Sequence, residues 1–482
     1  MKKTFTLLLC LLLLCCTVFF VACSENENGS GGNDDDNGGT TINGGGGGGN
    51  SGGNEDTGSH VHSYGTDNVC VDCGNALAYT EGLKYTWIDN GTAYKLMDIG
   101  TATDTDIVIP YYYNNRPVTQ IGDSAFRGEN HLTSIAIPAT VTYIGSSAFY
   151  GCSGLTEIFI PSSVTLIQSN AFGECSSLES ITLPFVGANL KGYAYKNFGV
   201  IFGANSYLNN KKHVPASLKN VVVTGGNIID DYAFYDCDSL VSISLPASVT
   251  SVGNHAFNGC DSLESITMEE GNAVYHAAGN CLIETATKSL IAGCKNSLIP
   301  TDGSVIDIAL SAFRDCSGLT SINIPASVTS IGDSAFSDCK NLESVIFAEG
   351  SQLISVGFGG FNGCSSLTSI IISASVTSIG SFAFNNCSSL ISVTVPISVT
   401  CISGYAFNNC SSLSLITIPE NVTSIEVHAF YGCNNLTSVI YQGAISKWQT
   451  ISKEYFWDRD TGDYIITCSD GTITKDGTVT MN

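Results

Sequence analysis

Four residues have types and spacing that suit metal chemistry. They are His60, His62, Cys70 and Cys73, in His60-Val-His62-Ser-Tyr-Gly-Thr-Asp-Asn-Val-Cys70-Val-Asp-Cys73-Gly74. A Cys-x-x-Cys-Gly turn offers two thiolates, and two histidines complete a tetrahedral set suited to zinc. All four positions would then come from protein, leaving none open for substrate, so such a zinc would be structural. Only half of a zinc ribbon is present, however. In an oxidising compartment a Cys70–Cys73 disulfide competes with the metal, as does a pair of free thiols.

The remaining cysteines follow another pattern. Cys152, Cys175, Cys237, Cys260, Cys316, Cys339, Cys364, Cys387, Cys410 and Cys433 share one phase of a repeat, and Glu129 holds that phase in the first unit. Stacked strands set equivalent Cα atoms about 4.7–4.9 Å apart, which lies within disulfide reach. A buried free cysteine also behaves as a small hydrophobe, and a reduced ladder in the core is the expectation. A Cys281–Cys294 bridge across a hairpin is the less favoured alternative to an unbridged spacer. Cys468 has no histidine near it in sequence, because the last one, His428, falls inside a repeat. General acid–base or nucleophilic catalysis needs such groups held together. No pair of that kind is evident, so the chain is not expected to be an enzyme.

The repeat itself is anchored by Phe126, Phe149, Phe172, Phe234, Phe257, Phe313, Phe336, Phe361, Phe384, Phe407 and Phe430. Their separations are 23, 23, 62, 23, 56, 23, 25, 23, 23 and 23 residues. So short and strict a period means stacked units sharing one long core. In Leu155-Thr-Glu-Ile158-Phe-Ile160-Pro161, the residues Leu155, Ile158 and Ile160 point inward, and Pro161 ends the strand by withholding a donor. Val164–Ile167 makes a second short strand. The glycine after isoleucine, as in Ile144–Gly145 and Ile331–Gly332, suggests a turn with positive φ.

These units resemble the BspA-type leucine-rich repeats of bacterial surface proteins, from roughly Leu83 onward. The resemblance implies a repeat solenoid, mainly β with short helical or irregular turns. It would be a curved, right-handed stack of 23-residue units with terminal caps. It also implies adhesion to host proteins or other cells. The leucine-rich-repeat consensus allows Asn or Cys at one inward site, in keeping with a cysteine ladder.

On this reading residues 79–117 form an N-terminal cap, 118–440 the repeats and 441–482 a C-terminal cap sealed by Trp448 and Trp457. Longer units fall near 185–219 and 270–305. The first holds Tyr193, Tyr195, Phe198, Phe202 and Tyr207, then Lys211-Lys212-His213. Exposed aromatics beside cations suit a binding hot spot. The favoured reading is an elongated rung whose aromatics pack inward. The second reads as a β-hairpin of Asn280–Glu284 and Lys288–Cys294. The outward strand positions, including Thr156, Glu157, Phe159, Glu179 and Thr182, form a mostly Ser/Thr surface. They make either a docking face or an ordinary wet face of a sheet.

Ahead of the repeats lie three further segments. Residues 1–22 have a basic start at Lys2 and Lys3 and an apolar run from Phe5 to Ala22, before Cys23. This resembles a bacterial lipoprotein signal, although Phe20 stands where leucine is usual. It implies cleavage after Ala22 and a lipid on Cys23. An uncleaved anchor or a cleaved signal without lipid are the alternatives. Residues 23–59 are almost all Gly, Asn, Ser, Asp and Glu, too polar to fold, and read as a tether. Residues 60–78 are the His/Cys segment. The formal charge of −24 argues against nucleic acid and against adsorption to anionic lipid.

The expectation is therefore an exported, surface-exposed, lipid-tethered binding protein. Its partners would be extracellular or host proteins, other cells or glycans, with contact to a membrane only through the lipid. A structural envelope protein without a specific ligand is the alternative, and a secreted hydrolase the more distant one. Metal analysis before and after Cys70→Ser tests the first cluster. A zinc site predicts stoichiometric zinc that the substitution removes, whereas a disulfide predicts none in either form.

Overall fold

The structure, a computed structural model, describes residues 68–69, 77–189 and 196–482. The chain divides into two units, and the larger comprises residues 66–68 with 78–482. Within it a single rung shows why the sequence coils. The strand Glu157–Phe159 pairs in parallel with Ser180–Leu183 of the next rung. Leu155, Ile158 and Ile160 are buried beneath it, as strand alternation requires. Pro161 then withholds a donor, and the chain turns into the two-residue strand Leu166–Ile167, paired with Tyr143–Ile144. A third side follows, a turn in which Ala171 and Phe172 enter the core.

Stacking these rungs makes long ladders. One run of longer strands goes from Glu157–Phe159 to Ser265–Met268, five strands side by side. A second, of nine strands, begins at Ser321–Ile324. It stays parallel to Ile465–Cys468 and closes with the antiparallel strands Gly471–Thr474 and Val479–Met481. The fold is thus a β-solenoid, mostly strand with little helix. At the start, Lys84–Ile88 and Ala93–Asp98 pair antiparallel, and the latter joins Arg116–Ile121 in parallel. At the end, Trp448 lies edge-on to Tyr441 at 5.2 Å and Trp457 edge-on to Phe430 at 6.1 Å.

The phenylalanines form two stacks on the turn side of the core, one ending at Phe257 and the other starting at Phe313. Phe126, Phe149 and Phe172 follow one another at 5.4 and 5.2 Å with ring planes within 4°. Phe361, Phe384, Phe407 and Phe430 repeat this at 5.5 Å. The long unit preserves the stack through the 3-10 helix Phe198–Phe202, whose rings lie between Phe172 and Phe234. Its buried Asn210 fixes that helix, accepting from Gly199 N and donating to Tyr235 O. In the second long unit, Tyr275–Ala278, Cys281–Glu284 and Ser289–Ala292 form an antiparallel meander, and Ser289–Leu290 rejoins the parallel ladder at Asp307–Ile308. There Gly293 N donates to Ala312 O, the bond that Phe residues make elsewhere. Gly293 therefore occupies a phenylalanine slot, and the Phe313 ring fills its space.

The glycine expectation needs correction. Gly145 and Gly332 do not have positive φ. A side chain at Gly145 would instead stand 2.5 Å from Asp123 N, and one at Gly332 would stand 2.8 Å from Ile308 O. Glycine is required here by the close approach of the neighbouring rung. Left-handed backbone occurs two residues before and two after the anchoring phenylalanine, as at Ser147 and Gly151 or Phe382 and Asn386.

A Cβ added at Gly293 would meet the Phe313 ring at 1.9 Å. Gly293→Ala should destabilise the protein by at least the ~1–3 kcal/mol typical of overpacking. Phe384→Ala, which empties a stacked slot, should cost about 3–5 kcal/mol. Urea unfolding followed by circular dichroism measures both.

Candidate functional site

The cysteine ladder is built for cohesion. In eight rungs the thiol donates to the phenylalanine carbonyl of the preceding rung, at 3.0 to 3.2 Å, from Cys152 to Phe126 O through Cys433 to Phe407 O. That carbonyl also accepts a backbone N–H within its own rung, as Phe149 O does from Cys152 N at 3.1 Å. Burial pushes the Cys152, Cys175, Cys387 and Cys433 thiols up to about 12, and Cys364 and Cys410 far above their ordinary value of 9.0. Thiolate, the reactive and metal-binding form, is thereby suppressed. The described cysteines are unpaired. In place of a bridge, the Cys281 thiol turns to Gly279 O at 3.5 Å and the Cys294 thiol to Asn280 O at 3.6 Å. Among the described residues no group of three or more His, Cys, Asp and Glu is gathered to hold a metal. No described helix is long and apolar enough to cross a membrane.

Cys23, His60, His62, Cys70, Cys73, Tyr193 and Tyr195 lie outside the described residues. Lys211 and Lys212 sit on the short helix Asn210–His213, where Lys211 forms an ion pair with Asp238 and Lys212 is exposed. The other five candidates come together on the long-strand ladder. Thr182 pairs with Phe159, and Ser180 with Glu157. Glu179 N donates to Thr156 O at 2.7 Å. Phe159 is 46% exposed, next to Thr182.

Further along, this face is more apolar than a Ser/Thr surface. Ile346 is 56% exposed and Ile371 87%. They follow Val345 and Ile370, which pair in register. Ile391, Ile440 and Ile465 are also exposed. These isoleucines stand one residue away from buried partners in sequences such as Ser344-Val-Ile-Phe347, where both faces of the strand are apolar. Reading outward positions rung by rung in the 23-residue register is the signal that finds them.

A second feature lies on the turn side. The left-handed position two residues before the anchoring phenylalanine is Ser or Asn in several rungs, including Ser124, Ser147, Asn170, Ser311 and Ser334. Towards the C-terminus it is Phe382, Tyr405 and His428, and Phe456 holds the equivalent turn position before Asp458, all with φ of 54° to 60°. Sparsely populated backbone of this kind costs roughly 1–3 kcal/mol per residue. The rings stack in return, Phe382 on Tyr405 at 4.5 Å and Tyr405 against His428 at 4.9 Å. Tyr207, Tyr232 and His255 make a shorter column of the same kind, at 4.3 and 4.9 Å. The spacing of these aromatics from the anchoring phenylalanines was visible in the sequence; their half-buried, stacked setting was not.

A family model described as "BspA type Leucine rich repeat region" matches residues 105–202, 227–352 and 350–461, in six copies. The chain belongs to the BspA-type leucine-rich repeat family. Among solved structures, this BspA-type chain is similar to a leucine-rich cell surface protein from Faecalibacterium prausnitzii. They share 27% identity over 79% of this chain and 99% of that one, with a TM-score of 0.40. A leucine-rich repeat protein from Bacteroides ovatus shares 26% identity over 80% and 98%, with a TM-score of 0.45. No curated protein matches the chain.

Because the ladder thiols have a raised pKa in the folded state, that state retains protons that the unfolded chain releases. Their contribution to stability is present below the ordinary value of 9.0 and is lost as pH rises towards about 12. The unfolding midpoint should therefore fall progressively above pH 9, and substituting several ladder cysteines by alanine should flatten that slope. Thermal unfolding scanned against pH checks the sign.

Proposed function

We propose that this protein is an exported binding protein that docks an extracellular protein partner on its long-strand ladder. The observation that carries this reading is Ile371, 87% exposed directly after the paired strand Ser369–Ile370, with Ile346 at the equivalent position of the preceding rung and Ile391 in the following one. Exposed isoleucines in adjacent rungs, set in a polar surround, suit an interaction site. Serine and threonine between the isoleucines, such as Ser369, Ser392 and Thr394, supply the polar surround. The membership in a leucine-rich-repeat family fits a surface of this kind. Cys23 serves as a lipid anchor, and residues 23–59 connect it to the repeats.

Binding of the purified protein to immobilised extracellular-matrix proteins and to whole cells tests the reading. Saturable binding should weaken at least tenfold in Ile346→Asp/Ile371→Asp, with the circular dichroism spectrum unchanged. Saturable binding that these substitutions leave intact, or no saturable binding to any of them, would count against this face. Incorporation of labelled fatty acid, lost in Cys23→Ser, tests the anchor.

A further inference from the structure

On the turn side of the last rungs lies an open groove of about 610 Å³. Its walls are ladders of neutral polar side chains. Ser365, Ser388 and Ser411 form one, each hydroxyl from Ser388 onward donating to the serine carbonyl of the preceding rung at 3.3 to 3.4 Å. Asn386 and Asn409 form the other, the amide of Asn409 donating to Asn386 Oδ1 at 3.1 Å. The serine lone pairs, the Asn409 carbonyl oxygen and the remaining amide hydrogens are left facing the groove.

Three observations mark this place as more than a regular wall. One residue before Asn386 and Asn409, buried Asn385 and Asn408 carry an amide chain, from Asn408 to Asn385 Oδ1 and from Asn385 to Asn362 Oδ1. It ends at Asn408 Oδ1, which is buried and accepts no hydrogen bond. In the next rung Tyr431, a residue of the groove wall, occupies the slot of that asparagine. The strained aromatic column also meets the groove: His428 lies edge-on to Tyr431 at 5.1 Å. Arg459 covers Phe456 at 4.7 Å and stands beside Asp460, the one charged residue of the wall, at 3.8 Å.

We propose that this groove binds a neutral oligosaccharide laid across the rungs. A sugar chain presents hydroxyls that both donate and accept, which suits alternating amide and serine groups. Its C–H surfaces suit the Tyr431 ring. An extended peptide is served poorly, because the turn N–H groups are already paired, Asn386 N to Asn408 O and Asn409 N to Tyr431 O. An anionic chain gains nothing from a wall whose one charge is a carboxylate beside its own arginine. The groove is separate from the isoleucine face, so the two readings stand or fall independently.

The test is binding of the full chain to short neutral gluco-, manno-, xylo- and chito-oligosaccharides, by calorimetry, with heparin as the acidic comparison. Asn386→Gly/Asn409→Gly removes both amides and keeps the left-handed backbone, since Gly363 and Gly432 already hold that position with positive φ. The expected result is saturable binding of at least one neutral probe, weakened at least tenfold by the double substitution and unchanged by Ile346→Asp/Ile371→Asp. No neutral probe bound, binding unaffected by the double substitution, or heparin alone bound would each overturn the proposal. Protein binding lost in the isoleucine variant but kept in the asparagine variant would leave the strand-face reading intact.

Discussion

Everything in this solenoid depends on one buried carbonyl per rung. The oxygen of the anchoring phenylalanine accepts a backbone N–H from its own rung and, in eight cases, a thiol S–H from the next. Both lone pairs are used in a place where water does not reach, and an unmet acceptor there would carry a full desolvation cost. The same residue places its ring on the ring of the preceding rung. Packing and hydrogen bonding therefore enforce one register, and slipping by a residue would break both at once. Cysteine fits this node because it is small, apolar enough for the core and still a donor.

This constraint explains where variation is allowed. The two long units leave the node by different routes and return to it in register. Phe198–Phe202 inserts its own aromatic rings, and Asn210 accepts from the buried Gly199 N–H of that helix. The meander around Cys281–Glu284 returns with a glycine in the ring position, so Phe313 closes the gap. The core divides into two clusters at this point, one ending near Cys294 and the other beginning at Cys281. With the interior so strictly specified, differences between rungs are confined to outward positions, and these carry the isoleucine face and the asparagine groove.

Much of the architecture was legible because periodicity reports burial directly. The phenylalanine spacing identified the rungs, the core positions and the two interruptions. Position along a rung was legible; direction was less so. Ile346, Ile371 and Ile440 neighbour inward residues of the same type, so composition hides which of them meets solvent. Gly145 showed that glycine was needed without showing why, since close approach and positive φ leave the same mark in sequence. The Cys152 series was placed in the core correctly, but its role as donor to the Phe126 series depends on a neighbour 26 residues away. Phe382, Tyr405 and His428 were hidden by their position inside a turn, where a bulky ring in left-handed backbone is not expected.

The thiol-to-carbonyl bond is the element on which this account rests, and infrared spectroscopy observes it directly. The S–H stretching band of the purified chain should be present in the folded state and displaced to lower frequency, then return to the position of a free thiol on unfolding. A folded protein whose S–H band is missing, or stands unshifted from that of the unfolded chain, would contradict the ladder.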